Sequence, residues 1–327
     1  MNPSPVIAVT SPSFAHTPDL CADLLAAFPR ARLNSGGKRL AGAELVAFLA
    51  GAEGAVIGLE QVDGALLDAC PGLSMVAKYG VGLDNLDLDA CRARGVAVGW
   101  TAGVNRRSVA EMTVGLMIGL TRNLFLTSRQ LQGGVWNKNG GIQLSEGTVG
   151  LIGFGNIGTE VARLLCPFGC RVLANDLRDI AAACTETGAE PATKDQIYAE
   201  ADIISLHVPL TELTRNLFDA ATLARLRPGA FLINTARGGI VDQRALAMAL
   251  KSGYLAGAAL DVYDFEPPTD ADLLGLPTLV ATPHIGGNSR EAVLAMGRSA
   301  IGHLRRHFLA PILAIGDQGF ALVAPGV

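Results

Sequence analysis

The sequence TVGLIGFGNIG at residues 148–158 decides the fold of this chain. A short apolar run ends at Ile152 and is typical of a buried strand, and a helical apolar pattern begins after it. Gly153, Gly155 and Gly158 have the G-x-G-x-x-G spacing, which allows a sharp turn, a close approach of pyrophosphate to the backbone, and tight packing of the helix on the strand. The stretch therefore predicts a strand–turn–helix unit that binds a dinucleotide at the N-terminus of the helix.

The residue after the next strand indicates which dinucleotide binds. The apolar run at 171–175 predicts a second strand, and Asp176 follows it, about 20 residues past the glycines, where an acidic residue accepts hydrogen bonds from the adenosine ribose. Its charge would repel a 2′-phosphate, so NAD is favoured over NADP, although Arg178 is near enough to weaken that preference. A tight turn followed by a helix-capping Asp is the alternative interpretation, which the complete strand–helix–strand context disfavours.

Length and composition restrict the class of protein. A chain of 327 residues is long enough for two domains with their own cores. The net charge of −4 gives no indication of a nucleic-acid partner. The six cysteines are scattered without a C-x-x-C pair, so we expect most of them to be buried thiols in a reducing compartment, and we expect no metal site. The N-terminus lacks a basic leader and the longest apolar run, residues 112–120, is too short for a bilayer, so we expect a cytoplasmic protein without a membrane partner.

Apolar runs alternate with helical patterns on both sides of the fingerprint, and this alternation predicts an α/β fold with parallel sheets covered on both faces. Ahead of the fingerprint the patterns predict strands at 6–10, 54–58, 73–78 and 96–99 and helices at 19–28, 41–49 and 64–70. Beyond it they predict strands at 202–206, 230–234, 256–260 and 278–281 and helices at 194–200, 220–225, 242–251 and 289–308. With the two strands of the fingerprint unit, the later set makes six, the count of a complete dinucleotide-binding sheet.

We therefore predict two doubly wound parallel-sheet domains. Residues 1–101 together with 289–327 form a substrate domain, to which the last helix returns, and residues 102–288 form the nucleotide-binding domain. The tail after Pro311 gives no clear signal, and we expect no regulatory domain there. Two capping boxes are predicted, one at Ser108 and Glu111, the other at Thr193 and Gln196. The helix after Glu111 is apolar on nearly every face and should be buried.

Three chemically capable side chains follow the last three predicted strands. Ligands of doubly wound sheets bind beyond the carboxyl ends of the strands, and Arg237, Glu266 and His284 all lie there. An Arg in a tight turn can hold a carboxylate with two parallel hydrogen bonds, and a His beside a carboxylate is a general acid and base. Taken singly, each has an ordinary structural explanation; together they predict an active site.

These motifs together resemble the D-isomer-specific 2-hydroxyacid dehydrogenases, and most of all their phosphoglycerate-dehydrogenase-like branch. The resemblance covers most of the chain, and the segments that carry it are 78–85, 105–111, 153–158, 206–211, 234–242, 261–267 and 282–287. It implies a flavodoxin-like substrate domain and a Rossmann NAD-binding domain with a cleft between them. It also implies a homodimer built on the nucleotide-binding domain and a small 2-hydroxy or 2-keto acid as substrate.

The resemblance also implies roles for individual residues. Arg237 would hold the substrate's carboxylate and carbonyl, His284 would be the acid/base, and Glu266 would orient His284. The residues expected to contact the cofactor are Gly153, Gly155, Asn156, Ile157, Gly158, Asp176, His207, Val208, Pro209, Thr214, Ala236 and Asp261. Those expected to contact the substrate are Lys78, Tyr79, Gly80, Val81, Gly82 and Asn105, and of these the backbone of residues 80–82 would hold the carboxylate.

The substrate and some alternatives stay open at this stage. A phosphorylated substrate would need several cations; Lys78, Arg106 and Arg107 are candidates, but the stretch at 58–60, where the phosphoglycerate enzymes usually carry an Arg, ends in Glu60. Glyoxylate or hydroxypyruvate reductase and phosphite dehydrogenase are alternative enzymes. Phosphite dehydrogenase shares the Arg–Glu–His set, whereas formate dehydrogenase carries glutamine where Glu266 stands. An NAD-sensing protein similar to transcriptional co-repressors is the alternative outside enzymes. Trp136, like Tyr79, would line the pocket or simply pack.

Overall fold

The computed structural model describes residues 4–309. The chain divides into two compact units, Met1–Asn105 with Ser289–Val327 and Arg106–Asn288. The boundary therefore falls at residue 105, slightly beyond the one expected from the sequence. Residues 310–327, which we assign to the first domain, lie outside the described residues.

The first unit is built on one parallel sheet in the strand order β2-β1-β3-β4-β5, with all pairings parallel. This 2-1-3-4-5 order is that of flavodoxin-like doubly wound sheets. The strands are β1 (Ile7–Val9), β2 (Arg32–Leu33), β3 (Gly54–Ile57), β4 (Met75–Lys78) and β5 (Ala97–Gly99). The helices are α1 (Pro12–Ala15), α2 (Pro18–Ala27), α3 (Gly42–Leu49), α4 (Gly64–Ala69), α5 (Leu88–Ala93) and α14 (Arg290–Phe308).

The second unit is built on a seven-stranded parallel sheet in the order β12-β11-β10-β9-β6-β7-β8, so that the order reverses at β6. The strands are β6 (Thr148–Ile152), β7 (Arg171–Asn175), β8 (Glu190–Pro191), β9 (Ile203–Leu206), β10 (Phe231–Asn234), β11 (Gly257–Leu260) and β12 (Leu279–Ala281). The helices are α6 (Arg106–Thr121), α7 (Leu124–Gln132), α8 (Asn156–Leu165), α9 (Ala181–Thr187), α10 (Lys194–Glu200), α11 (Ala220–Leu223), α12 (Gln243–Lys251) and α13 (Ala271–Leu274). Short 3-10 turns occupy Leu144–Glu146, Cys166–Phe168 and Gly238–Ile240. Two doubly wound parallel sheets confirm the predicted α/β fold class.

Both sheets are buried on both faces, which is why their strands read as continuous apolar runs. Along β1, Ile7 and Val9 join one apolar cluster and Ala8 joins another, as the alternation of side chains across a strand requires. The second unit likewise has two clusters, with Leu151 in one and Ile152 in the other. Helices cover each face, and this double cover is what a purely parallel sheet requires.

Several short elements were not predicted, and one expectation about the sheets is wrong. The second sheet has a seventh strand, β8, where six were expected, and the first sheet has the additional strand β2. Each has only two residues, and one of the two in β8 is Pro191, so neither carries a periodic signal. Five helices, none longer than nine residues, were also missed; they are α1, α5, α7, α9 and α13.

The capping box expected at Ser108 is wrong, and the one at Thr193 is confirmed. Helix α6 begins at Arg106, so Ser108 lies inside it, and its hydroxyl donates to the Gly286 carbonyl at 2.6 Å. At the start of α10, both reciprocal hydrogen bonds between Thr193 and Gln196 form. Burial of α6 is confirmed, since nine of its residues are inaccessible. Within residues 4–309 no single helix meets the length and hydropathy of a membrane span; only α6 and α7 taken together do, and they are bent by 62°.

Candidate active site

The fingerprint turn lies where the order of the second sheet reverses. Gly153 has φ +95°, and a Cβ there would fall 2.6 Å from the His207 carbonyl carbon, so only glycine fits between the ends of β6 and β9. A Cβ on Gly158 would lie 2.1 Å from the Gly153 oxygen, which requires glycine for the close packing of α8 on the turn. The switch point of a doubly wound sheet is where dinucleotides bind.

The start of α8 has the features that a pyrophosphate needs. Gly155 is the N-cap and no side chain caps the helix, so the N–H groups of Asn156 and Ile157 lack intrahelical acceptors. A Cβ on Gly155 would meet only the Arg178 guanidinium, at 3.4 Å, so its surface is open to a ligand. These donors, the helix dipole and the glycine surface fit the diphosphate of a dinucleotide.

Asp176 directly follows β7 and is held by two neighbours. Its carboxylate accepts hydrogen bonds from the Phe154 N–H at 2.7 Å and from the Arg178 guanidinium at 3.1 and 3.2 Å. Burial by itself would raise the pKa of Asp176, but the hydrogen bonds and charge of Arg178 and the Phe154 N–H hold it below its ordinary value. The carboxylate is therefore ionised and orders the fingerprint turn. Arg178 is tied to Asp176 by these same hydrogen bonds.

The loop after β9 carries four of the predicted cofactor residues, and two of them, His207 and Val208, adjoin the fingerprint. A Cβ on Gly153 would lie 2.8 Å from a Val208 methyl group, so the two loops are in direct contact. Burial lowers the pKa of His207 to about 3, so its ring is neutral. Its Nε2 bonds the Ser205 hydroxyl at 3.0 Å, and its Nδ1 is buried without a hydrogen-bond partner among the described residues. The Thr214 hydroxyl closes this loop by donating to the Pro209 carbonyl at 2.6 Å.

The turn after β10 presents Arg237. The Asn234 side chain fixes the turn by accepting from the Ala236 N–H at 3.0 Å and donating to the Arg237 carbonyl at 2.8 Å. The Arg237 guanidinium donates to the Ala236 carbonyl at 2.7 Å. A Cβ on Gly238 would lie 2.0 Å from the Tyr263 carbonyl carbon, so glycine lets this turn approach the loop after β11. Arg237 is thereby brought close enough for its charge to act on Glu266.

The imidazole of His284 and the carboxylate of Glu266 form a hydrogen-bonded pair. His284 Nδ1 lies 2.9 and 2.8 Å from the two Glu266 carboxylate oxygens, and the Tyr263 N–H donates to the same carboxylate at 3.2 Å. Burial by itself would raise the pKa of Glu266, but His284, the Tyr263 N–H and the Arg237 charge hold it below its ordinary value. The second unit thus brings Arg237, Glu266 and His284 together, with Nε2 of the imidazole turned away from its carboxylate partner. Such a pair can accept and donate a proton at Nε2.

Asp261 anchors the loop that carries His284. Its carboxylate is 1% exposed and accepts from the Thr282 hydroxyl at 2.7 Å and from the N–H groups of Ile285 and Gly286 at 2.9 and 2.8 Å. His284 lies between these donors with φ +54°, a left-handed conformation that costs a residue with a side chain free energy. The predicted contact of Asp261 with the nicotinamide is untested; the contacts present here are with the protein itself.

In the first unit the substrate residues gather on the segment after β4. Lys78 is buried, and its ammonium donates to the Gly58 carbonyl at 2.5 Å and to the Asn85 side chain at 2.6 Å. Tyr79 packs edge-on against Phe14, and its hydroxyl lies 3.2 Å from the Ser13 hydroxyl. Both side chains therefore point into the unit's own interior.

The backbone of the next three residues, Gly80, Val81 and Gly82, offers hydrogen-bond donors to a ligand. Gly80 has φ +141°, and the N–H groups of Gly80, Val81 and Gly82 have no acceptor among the described residues. A run of N–H donors without acceptors is suited to a carboxylate. Asn105, the last residue of this unit before α6, has a buried amide oxygen that likewise lacks a donor among residues 4–309.

Three other sequence-based candidates for substrate contact, Arg106, Arg107 and Trp136, have different surroundings in the structure. Arg107 donates to Glu160 at 3.1 Å and to Glu111 at 2.6 Å, and Arg106 lies 3.9 Å from Glu160, all within the second unit. Trp136 is 78% exposed, so it does not line an enclosed pocket in that unit. No group of three or more His, Cys, Asp or Glu side chains within residues 4–309 could hold a metal ion.

Comparison with known proteins identifies the family. The family model for the NAD-binding domain of D-isomer-specific 2-hydroxyacid dehydrogenases matches residues 114–286, more than half of the chain. The chain belongs to the D-isomer-specific 2-hydroxyacid dehydrogenases. It is therefore an NAD-dependent oxidoreductase that acts on 2-hydroxy acids or their 2-keto counterparts, and its nucleotide-binding unit is the second one.

Similar members of this dehydrogenase family act on different acids. The chain is 40% identical to hydroxypyruvate reductase of Thermotoga maritima over 72% of its own length and 78% of that enzyme's, and 42% identical to (S)-sulfolactate dehydrogenase of Chromohalobacter salexigens over 75% and 81%. It is 40% identical to D-3-phosphoglycerate dehydrogenase of Mycobacterium leprae over 71% of its length, but the match spans only 44% of that enzyme. Among solved structures, D-lactate dehydrogenase of Aquifex aeolicus, determined with NAD and lactic acid, is 25% identical with a TM-score of 0.80 and covers 92% of this chain and 95% of that one.

Sequence reasoning missed the residues that hold this dehydrogenase's site together. Gly238, Tyr263 and Thr282 join the loops after β10, β11 and β12, and the Tyr263 hydroxyl donates to the carbonyls of Leu260 and Thr282 at 3.1 and 2.9 Å. Burial, together with the Asp261 charge, raises the pKa of Tyr263 to about 12, which keeps the hydroxyl protonated. The position of Asp261 directly after a buried strand was the available signal for this network, but no neighbouring residue in the sequence indicated its partners.

Asp176→Ala should weaken discrimination against NADP, because it removes the charge opposite a 2′-phosphate and releases Arg178. We expect kcat/KM with NADPH to rise relative to NADH by about tenfold to a hundredfold. The double variant Asp176→Ala/Arg178→Ala is the matched control and should lose the part of that gain that Arg178 supplies. Steady-state rates with both reduced cofactors measure the ratio, and an unchanged ratio in Asp176→Ala would contradict this role.

Proposed function

We propose that this dehydrogenase reduces a small 2-keto acid with an uncharged side chain, of which hydroxypyruvate and glyoxylate are examples. The pairing of the candidate cations supports this choice. Lys78 is committed to Gly58 and Asn85, Arg107 to Glu160 and Glu111, and the stretch after β3 ends in Glu60, whose carboxylate accepts from the Gly58 N–H at 2.8 Å. To bind a dianionic phosphate, Lys78 and Arg107 would have to exchange these contacts for the phosphate, whereas an uncharged side chain needs neither cation.

Binding of the substrate carboxylate is proposed for two places in the chain. Arg237 offers the planar donor pair that suits a carboxylate and an adjacent carbonyl. The N–H groups of Gly80, Val81 and Gly82 offer further donors without adding charge. Neither requires an acidic or phosphorylated side chain on the substrate, so both suit any small 2-keto acid.

Proton transfer is proposed for His284. Nδ1 is occupied by the Glu266 carboxylate, which orients the ring, so Nε2 is the atom that gives the proton to the substrate oxygen during reduction and takes it during oxidation. Arg237 stabilises negative charge that develops on that oxygen. NADH, when bound, supplies the hydride for C2 of the keto acid, and NAD accepts it in the reverse direction.

A homodimer is also proposed, formed through the nucleotide-binding unit. Its support is an exposed apolar segment at residues 124–142, which begins with α7, a helix without one buried residue. The large apolar side chains that are about half or more exposed there are Leu124, Leu131, Val135, Trp136 and Ile142. The only charged residues of the segment are Arg129 and Lys138. An exposed apolar patch of this kind on a soluble unit is typical of an interface between proteins, and the occupant we propose is the same segment of a second copy.

A panel of keto acids with NADH tests the proposed substrate class. We expect kcat/KM for hydroxypyruvate or glyoxylate to exceed that for 3-phosphohydroxypyruvate by about a hundredfold, the effect of leaving a dianion without cations. Sulfopyruvate, with its charged sulfonate, serves as the non-phosphate anion in the same assay. Preference for either anionic substrate would contradict the argument from the paired cations, and no turnover of any member would overturn the proposed reaction.

His284→Asn tests the acid/base role without losing the left-handed backbone, since Asn tolerates φ > 0 better than most residues. We expect kcat to fall by about 10²–10⁴ because proton transfer loses its side chain. The NADH dissociation constant, measured by fluorescence titration, should stay within twofold of the wild-type value. His16→Gln, on an exposed residue of the first unit, is the matched control and should keep full turnover. Normal kcat in His284→Asn would remove this residue from the reaction.

Leu131→Asp tests the interface by placing a charge in the apolar segment. Sedimentation velocity should give twice the chain mass of 33.9 kDa for the wild type and 33.9 kDa for the variant. Met248→Asp on α12 is the control, because Met248 is 73% exposed but lies outside the segment. A wild-type monomer, or a variant that remains dimeric, would contradict this interface.

A further inference from the structure

We infer that Trp100 is a positioning residue that sets the direction of the substrate-binding N–H groups at residues 80–82. This inference rests on the proposed role of that backbone in holding the substrate carboxylate. Trp100 directly follows β5, and β5 pairs with β4, the strand that leads into Gly80. The two segments therefore leave the same edge of the sheet side by side.

One hydrogen bond joins them. The Trp100 indole Nε1 donates to the Val81 carbonyl at 2.8 Å, within the normal range for a strong N–H···O bond. The Val81 carbonyl and the Gly82 N–H belong to one peptide unit. Because a trans peptide is planar and its C=O and N–H point in opposite directions, holding the carbonyl on Trp100 turns the Gly82 N–H to the side away from the indole.

The rest of the segment does not fix this peptide. Ahead of it, the Tyr79 N–H donates to Ile57 at 2.8 Å, and after it the Asn85 side chain donates to the Glu60 carbonyl at 2.5 Å. Between these ends, the Trp100 bond is the one hydrogen bond to residues 80–82 that the described part of the chain supplies. Glycines stand on both sides of Val81, and Gly80 has φ +141°, so the peptide has wide conformational freedom unless something holds it.

Holding a donor in its binding direction before the ligand arrives lowers the entropic cost of binding. The indole N–H is therefore expected to act on the affinity for the carboxylate. That contact is the same before and during hydride transfer, so the effect should appear in KM and leave kcat nearly unchanged. A residue that merely packs would instead alter stability or all kinetic constants together.

Trp100→Phe removes the N–H and keeps most of the aromatic surface. We expect KM for glyoxylate or hydroxypyruvate to rise about tenfold, the fold-change that corresponds to one net hydrogen bond. Turnover at saturation and KM for NADH should stay within twofold, and the melting temperature should change little. Tyr254→Phe, which likewise removes a side-chain donor to backbone carbonyls (those of Ala224 and Leu226), is the matched control and should leave every kinetic constant unchanged. An unchanged keto-acid KM in Trp100→Phe, or an equal loss in kcat, would overturn the inference.

A second measurement keeps the inference testable if Trp100→Phe does not fold. The Trp136→Phe enzyme contains Trp100 as its single tryptophan, so acrylamide quenching of its fluorescence reports on that side chain alone. At saturating NADH, oxamate, an unreactive carboxylate analogue of a keto acid, should protect Trp100 from quenching. Absence of protection, at oxamate concentrations that saturate inhibition of the wild type, would overturn the inference. If the wild type reduces no keto acid, the proposed function is wrong. Oxamate protection of Trp100 would still show whether the backbone at residues 80–82 binds a carboxylate.

Discussion

The hydrogen bonds to the buried Asp261 carboxylate are the constraint on which the reactive part of the second unit depends. Three donors from the loop after β12, the Thr282 hydroxyl and the N–H groups of Ile285 and Gly286, converge on this carboxylate. Hydrogen bonds to a charged group each contribute about 1.5–3 kcal/mol, whereas a left-handed residue other than glycine costs about 1–3 kcal/mol. The set can therefore hold His284 at φ +54° and fix the direction of its imidazole.

Close contacts between neighbouring loops also position the other two side chains, Arg237 and Glu266. Gly238 and Gly286 allow the loops after β10 and β12 to approach the loop after β11. A Cβ on Gly238 would lie 2.0 Å from the Tyr263 carbonyl carbon, and a Cβ on Gly286 would lie 3.0 Å from the Asp261 carboxylate. Glu266 then lies between a cation and an imidazole, and these neighbours outweigh the cost of its partial burial. A carboxylate that stays ionised is what an orienting partner for an acid/base imidazole requires.

The sequence predicted most of the fold because apolar spacing and capping residues are signals that a helix or strand carries within its own residues. The helix at 194–200 and the strand at 171–175 have the bounds expected from apolar spacing and capping, and the reversal at β6 follows from the glycine fingerprint. The two-residue strand β8 forms by pairing with the neighbouring strand β7, and the short helix α13 begins at a single capping residue, Asp270. Neither is long enough to show a repeating pattern of apolar residues. Ser108 and Glu111 had the spacing of a cap, but the helix starts earlier and the Ser108 hydroxyl bonds Gly286 instead, a partner 178 residues away.

Residue types at strand ends were enough to name Arg237, Glu266 and His284, but their support comes from long-range contacts that no local pattern contains. A crystal structure with NADH and oxamate tests the central claim, that the imidazole held by Asp261 and Glu266 is the group that reacts with the substrate. The account predicts His284 Nε2 within about 3 Å of the oxamate oxygen that replaces the keto oxygen, with the Glu266 contact retained. An imidazole turned away from bound oxamate, or another ionisable side chain in that place, would contradict it.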